Sequence, residues 1–261
     1  MGKFWTGFWS WQWKADRTGA EWDGMEAFRC GRAWVELDRG ALRQNVDTLR
    51  NMLPDSCRLM PAVKADAYGH GAVLVASELQ KAGVNAFCVA CVQEGIQLRR
   101  KGIQGEILIL GYTHPKQFAL LCNYHLTQTV VDYAYAQQLN TFGKPIHVHI
   151  GIDTGMHRLG VRSEHLERVL EIFGMEHLIV DGMFTHLCTS DMMTDRGRSY
   201  TEAQADAFYH LLDQLLERGY PCPKIHMQAS YGVLNYPQLA GDYARIGIAL
   251  YGVLSTKRKQ C

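Results

Sequence analysis

From residue 33 onward, short apolar runs alternate with longer segments whose apolar residues recur at helical spacing. The runs 58–63, 86–90, 107–111, 127–131, 146–150, 179–185, 224–228 and 245–251 are rich in Val, Ile and aromatic residues and read as strands. Most are continuously apolar rather than alternating, as expected of strands buried on both faces. Segments 39–52, 72–82, 93–101, 115–121, 134–142, 164–173 and 201–218 read as helices; the first sets Leu42, Val46 and Leu49 on one face. Thr201 with Gln204 predicts a capping box at the start of the last helix, and Gly219 predicts its stop.

Strands that alternate with helices indicate an α/β fold with a parallel sheet, and eight of them predict a closed (β/α)8 TIM-type barrel. An open doubly wound sheet is the alternative, disfavoured by the strand count and by the lack of a GxGxxG turn. Segment 33–38 reads as an extra strand that the barrel does not need. The expected organisation is a leader over 1–32, a barrel over 33–253 and a tail over 254–261.

A hydrophobic share of 47% supplies a full core, and a net charge of +1 gives no reason to expect nucleic acid or an anionic membrane as partner. No apolar stretch is long enough for a membrane-spanning helix. Eight scattered cysteines read as buried thiols in a reducing, cytoplasmic setting, and Cys88 with Cys91 as a chance CxxC. Residues 1–32 hold Trp5, Trp9, Trp11, Trp13 and Trp22 among polar residues, which reads as a disordered leader or a junction rather than an interfacial anchor.

In a barrel enzyme the working residues stand at the carboxyl ends of the strands. Lys64 follows the first strand there, and a desolvated lysine favours the free amine that condenses with an aldehyde. Arg158, His186, Ser230 and Arg245 occupy the ends of later strands. Each alone has an ordinary structural role open to it; their joint placement is what points to chemistry.

The stretch Ala62-Val63-Lys64-Ala65-Asp66-Ala67-Tyr68-Gly69-His70-Gly71 resembles the pyridoxal-5′-phosphate (PLP) attachment signature of the alanine racemases. Asp153-Thr154-Gly155-Met156, Arg158-Leu159-Gly160, Phe184-Thr185-His186 and Arg245-Ile246-Gly247-Ile248 resemble further blocks of that family, in the same order. His157 and Gln228-Ala229-Ser230-Tyr231-Gly232 are more similar to the VanT-type serine/alanine racemases linked to vancomycin resistance. The resemblance implies a racemase of alanine or serine that supplies a D-amino acid for peptidoglycan, with PLP as cofactor. It implies Lys64 as the PLP-carrying lysine and as the base on one face of Cα, the face presented by D-alanine. It implies Tyr68, Ser230 and the backbone N–H groups of Gly247 and Ile248 as phosphate donors. Arg245 would face the pyridine nitrogen, His186 would help orient Arg245, and Arg158 would meet the phenolic oxygen and the substrate carboxylate.

Two departures stand out. Ala229 replaces an asparagine usual in the family. The family's second, β-rich domain, whose partner-subunit tyrosine is the opposite base in a homodimer, has no match after residue 253. The chain is therefore expected to look truncated and to be weakly active alone. A single-domain PLP-binding protein that manages cofactor supply without turnover is the alternative function, and a partnerless barrel fragment is a third.

Overall fold

The computed structural model describes residues 36–239 and 241–254. The expected leader and the tail from 255 lie outside the described residues, as does the start of the 33–38 segment. Glu36–Asp38 is not a strand; Asp38 instead caps α1 (Arg39–Arg50), accepting from Ala41 N at 3.0 Å. The remaining elements follow in βα alternation. They are β1 (Arg58–Leu59), α2 (Lys64–Gly69), α3 (Ala72–Lys81), β2 (Ala86–Val89), α4 (Val92–Arg100) and β3 (Glu106–Ile109). Next come α5 (Phe118–Asn123), β4 (Thr127–Val130), α6 (Tyr133–Thr141), β5 (Ile146–Asp153), β6 (Val161–Arg162), α7 (Leu166–Phe173) and β7 (Leu178–Phe184). The series ends with α8 (Asp195–Glu217), β8 (Lys224–His226), α9 (Ser230–Asn235) and β9 (Tyr243–Ala244).

All strand pairs are parallel, in the order β2-β3-β4-β5-β7-β8, with β1 paired to β9 and β6 to β5. Two seams close the ring. Ala62 bridges Cys88 beside β2, and Asp242 N donates to Ile225 O of β8 at 2.7 Å. The expected eight-stranded parallel barrel is thus the observed architecture. A large apolar cluster lies between strands and helices, containing Val148, Ile150, Phe208 and Leu211. A smaller one fills the lumen with Met60, Cys88, Leu108, Phe184 and Tyr243. Strand alternation explains the division, since successive residues point to opposite faces.

Several expected boundaries move. The apolar run 245–251 is not the eighth strand; pairing is confined to Tyr243–Ala244, and Ile248–Tyr251 coils into a 3-10 turn. That run is apolar because it is buried against α1, whose Asn45 Nδ2 donates to Leu250 O at 3.0 Å. The long helix starts six residues before Thr201, at Asp195, with Thr194 as its cap, accepting from Gly197 N at 3.2 Å. Thr201 and Gln204 are buried within it and form no capping box. Gly219 does end the helix, at φ +79°. The thiols are less uniform than expected: Cys57 and Cys88 are buried, Cys91, Cys122 and Cys188 are half-buried, and Cys222 is exposed, while Cys30 and Cys261 lie outside the described residues. Among the described residues no helix is long and apolar enough to cross a membrane.

Candidate active site

At the carboxyl ends of the strands opens a cavity of about 550 Å³, lined by Lys64, Tyr68, Arg158, His186, Ser230, Arg245, Gly247 and Ile248 among others. All the residues singled out in the sequence therefore meet at one place. The other charged side chain on its wall is Asp191, so three cations face one carboxylate and the cavity suits an anionic ligand.

The chain reaches this cavity from Lys64 through an unusual backbone. Ala65, Asp66, Ala67 and Tyr68 all have φ between 51° and 55° and ψ between 36° and 48°, a left-handed turn built without glycine. Such a conformation costs roughly 1–2 kcal/mol per L-residue, so the surroundings must impose it. Glu94 does so from α4, accepting from Ala65 N at 2.8 Å and from Ala90 N at 2.7 Å. Asp66 Oδ1 accepts from Ala72 N at 2.7 Å at the far end. The turn delivers the Tyr68 hydroxyl to Gly247, where a Cβ would stand only 2.9 Å from it.

Opposite Tyr68, Ser230 opens α9 and is buried; its Oγ accepts from Gly247 N at 3.1 Å and Ala249 N at 3.2 Å. The Gly247 N–H expected to serve a phosphate directly is thus bonded to Ser230. This orients the serine, whose hydroxyl proton remains to donate. Ile248 opens the 3-10 turn, so its N–H has no acceptor within that turn.

Arg245 is 5% exposed and has no carboxylate partner among the described residues. Its Nη1 donates to His226 Nδ1 at 2.6 Å and to His226 O at 2.9 Å, and Nη2 donates to Thr185 O at 2.7 Å. His186 Nδ1 lies 3.5 Å from Nη2. Desolvation lowers the Arg245 pKa to about 10, which leaves the guanidinium charged at neutral pH. Desolvation, followed by the charges of Arg245, Arg158 and Lys64, pushes His186 down to about 3, so its ring is neutral. Gln204 of α8 fixes the backbone here, donating to His186 O at 3.2 Å and accepting from Cys188 N at 3.0 Å. Arg158 sits on a loop pinned by Asp153, whose Oδ1 accepts from Gly155 N at 3.0 Å and from His157 N at 2.9 Å.

The family signature described as "Alanine racemase, N-terminal domain" matches residues 37–255. The chain belongs to the alanine racemase family. An amino-acid racemase of Enterococcus faecalis is 44% identical over 223 residues, covering 85% of this chain and 31% of that protein. A serine/alanine racemase of Enterococcus gallinarum is 40% identical, covering 86% of this chain and 32% of that protein. The solved alanine racemase of Clostridium difficile 630, in complex with cycloserine, superposes with a TM-score of 0.78 at 36% identity, over 83% of this chain and 60% of that one. The chain thus spans about a third of the length of these Enterococcus relatives.

Alanine racemases are PLP-dependent, and this site fits that cofactor on its own geometry. The Tyr68 and Ser230 hydroxyls flank a glycine whose missing Cβ leaves room for a phosphate, and a half-buried lysine stands across the cavity. Gly247→Ala sets a Cβ against the Tyr68 hydroxyl and strains a backbone at φ −109°, ψ −110°, so it is expected to fold with some loss of stability. It is expected to weaken PLP binding by about tenfold or more, the loss of a hydrogen bond to a charged group. Fluorescence titration with PLP measures this, and an unchanged affinity would remove the phosphate from this corner.

The sequence left two functional features unread. It gave no sign of the left-handed turn behind Lys64, or of Glu94 as its anchor. His226, the main partner of Arg245, was also missed, although a histidine inside an apolar strand is a readable signal.

Proposed function

We propose that this chain is the PLP-holding barrel of an amino-acid racemase acting on alanine or serine. The observation that carries the reading is the convergence of Lys64, the Tyr68–Ser230 cradle and a carboxylate-free Arg245 on one cavity. PLP, when bound, supplies an electron sink for negative charge developing at the substrate Cα. Lys64 would carry the cofactor on its Nζ and, once the substrate amine displaces it, take and return the proton at Cα. Tyr68 and Ser230 would hold the phosphate, with the N–H groups of Gly247 and Ile248 behind them. Arg245 would face the pyridine nitrogen. A guanidinium does not release its proton, so that nitrogen would stay unprotonated and the ring would be a weaker electron sink, which would favour reprotonation over transamination. His186 would hold Arg245 in place without donating a proton of its own, and Arg158 would meet the phenolic oxygen and the substrate carboxylate.

Racemisation needs a proton donor on each face of Cα. Following the family resemblance, we assign the second to a tyrosine of the β-rich domain of a partner subunit, which makes the working unit a homodimer. We place the enzyme in the cytoplasm, supplying a D-amino acid for peptidoglycan.

The test is solvent exchange. The 1–261 polypeptide with PLP in D2O is expected to remove the α-proton of D-alanine, the enantiomer that Lys64 serves, as followed by proton NMR with chiral chromatography alongside. Inversion together with exchange would locate a second base within 1–261. PLP bound with no exchange of either enantiomer would sink the racemase reading.

A further inference from the structure

Arg245 is the end of a chain of close polar contacts that crosses the barrel lumen. His226 Nδ1 faces Arg245 Nη1 at 2.6 Å, and His226 Nε2 faces His149 Nδ1 at 2.8 Å. His149 Nε2 lies 2.9 Å from Glu106 Oε1, within ion-pair distance but outside hydrogen-bond geometry, and neither atom has a hydrogen-bond partner among the described residues. Glu106 Oε2 accepts from Tyr243 Oη at 2.9 Å and lies 3.5 Å from Lys224 Nζ. Both histidines are fully buried, whereas Lys224 at the far end is 42% exposed.

The fold makes deliberate room for this chain. The pairing of β5 with β7 slips between Val148 and His149, and Gly182 lies opposite the ring. A Cβ on Gly182 would stand 2.7 Å from His149 Nε2 and Cε1. Phe184 stacks on His226 at 4.9 Å, and the Arg245 guanidinium lies 4.7 Å from the Phe184 centroid.

Its direction follows from donor and acceptor chemistry. A guanidinium only donates, so His226 Nδ1 must accept from Arg245. Neutral His226 then carries its proton on Nε2 and donates it to His149 Nδ1. That leaves the His149 proton on Nε2, beside a carboxylate that only accepts. Every proton in the chain points away from Arg245 towards Glu106.

We infer that Glu106 and His149 are positioning residues that act through His226 on Arg245, locking both histidine tautomers so that His226 always presents a lone pair to the guanidinium. The lock holds Nη1 to His226 and leaves Nε, which has no partner among the described residues, for the group in the cavity. Burial opposes ionisation of Glu106, yet its interactions with His149, Tyr243 and Lys224 outweigh it and hold the carboxyl at about 2. Desolvation, then the Arg245 charge, holds His226 well below its ordinary value, so it accepts as a neutral ring. The inference rests on the proposed PLP role of Arg245; the chain of contacts itself does not.

The experiment is long-range ¹⁵N–¹H NMR of ¹⁵N-histidine-labelled 1–261 with PLP bound, alongside D-alanine exchange in D2O. In the parent protein His149 and His226 are both expected as Nε2–H tautomers. Glu106→Gln offers His149 a donor as well as an acceptor, so Nδ1–H populations should appear at both rings. D-alanine exchange should then slow by about tenfold, one pKa unit in effect, with PLP affinity held within about threefold. Glu106→Asp, which keeps the acceptor-only group, should restore much of the rate. Gly182→Ala pushes on the His149 ring without replacing any residue of the chain, and should perturb the tautomers in the same way should Glu106→Gln fail to fold. Nδ1–H or cationic His149 in the parent protein would overturn the inference, as would a parent-like His226 tautomer and exchange rate in Glu106→Gln. Expected tautomers with no exchange by the parent protein would instead refute the racemase reading and leave the lock standing.

Discussion

Replacing Lys64 with alanine is expected to abolish α-proton exchange of D-alanine by the PLP-loaded protein while leaving its fold intact. Lys64 is half-buried and makes no ion pair among the described residues, so its loss should shift stability by no more than about 0.5 kcal/mol. The same change removes the amine that would carry the cofactor and the base that would take the proton. A positioned general base alone contributes roughly 10²–10⁴-fold, so exchange should fall below detection. Tyr68, Ser230 and Arg245 remain, and PLP should still bind, reversibly and without a covalent link to the protein. Three readings separate the outcomes: a urea midpoint for the fold, dialysis of PLP for the link, and NMR for exchange. A Lys64→Ala protein that keeps more than about a tenth of the parent exchange rate would move the base elsewhere.

The barrel was legible because its strands are buried on both faces. β2 and β4 fall within a residue of the apolar runs that predicted them, since continuous burial leaves a continuous signal. The same logic misplaced the last strand. Ala249, Leu250 and Tyr251 are as buried as any strand, but they are packed in a turn rather than paired in a ladder. Hydropathy reports burial, not pairing. The start of α8 was missed for a related reason: Thr201 and Gln204 resemble a cap in sequence, yet both face inwards, Thr201 Oγ1 donating to Gly197 O and Gln204 holding the strand end that carries His186.

The site divides in the same way. The strand-end residues were legible from their position and from family resemblance, and the cavity gathers all of them. The support behind them was not, because it is set by distant partners. The left-handed turn after Lys64 runs through two alanines, an aspartate and a tyrosine, of which only the aspartate adopts positive φ at all readily; Glu94, about thirty positions on, holds it. Glu106, His149 and His226 are remote in sequence and meet only when the ring closes. What did mark them was polarity where burial was expected, since His149 and His226 sit between apolar neighbours on their strands.

Stability is expected to fall steeply below pH 6.5, before most carboxylates titrate. His186, with an ordinary value of 6.5, is held at about 3 in the fold by desolvation and by the surrounding cations. Above pH 6.5 the ring is neutral in both folded and unfolded chains, so it has no effect on the balance. Between 6.5 and 3 the unfolded chain binds a proton that the folded one refuses, and each unit of falling pH costs about 1.4 kcal/mol. At pH 5 His186 alone should therefore remove about 2 kcal/mol. His226, also held below its ordinary value and fully buried, acts in the same direction. Glu106 adds to the loss later: its carboxyl, depressed from 4.5 to about 2, contributes stability above 4.5 that disappears as pH falls towards 2. Urea unfolding of the PLP-free protein at pH 7.5 and pH 5 measures the difference, and His186→Gln should lose about 2 kcal/mol less over that interval. A His186→Gln protein with the same pH dependence as the parent would mean that the ring gains protons in the fold, and that the cations around the cavity are better solvated than their burial implies.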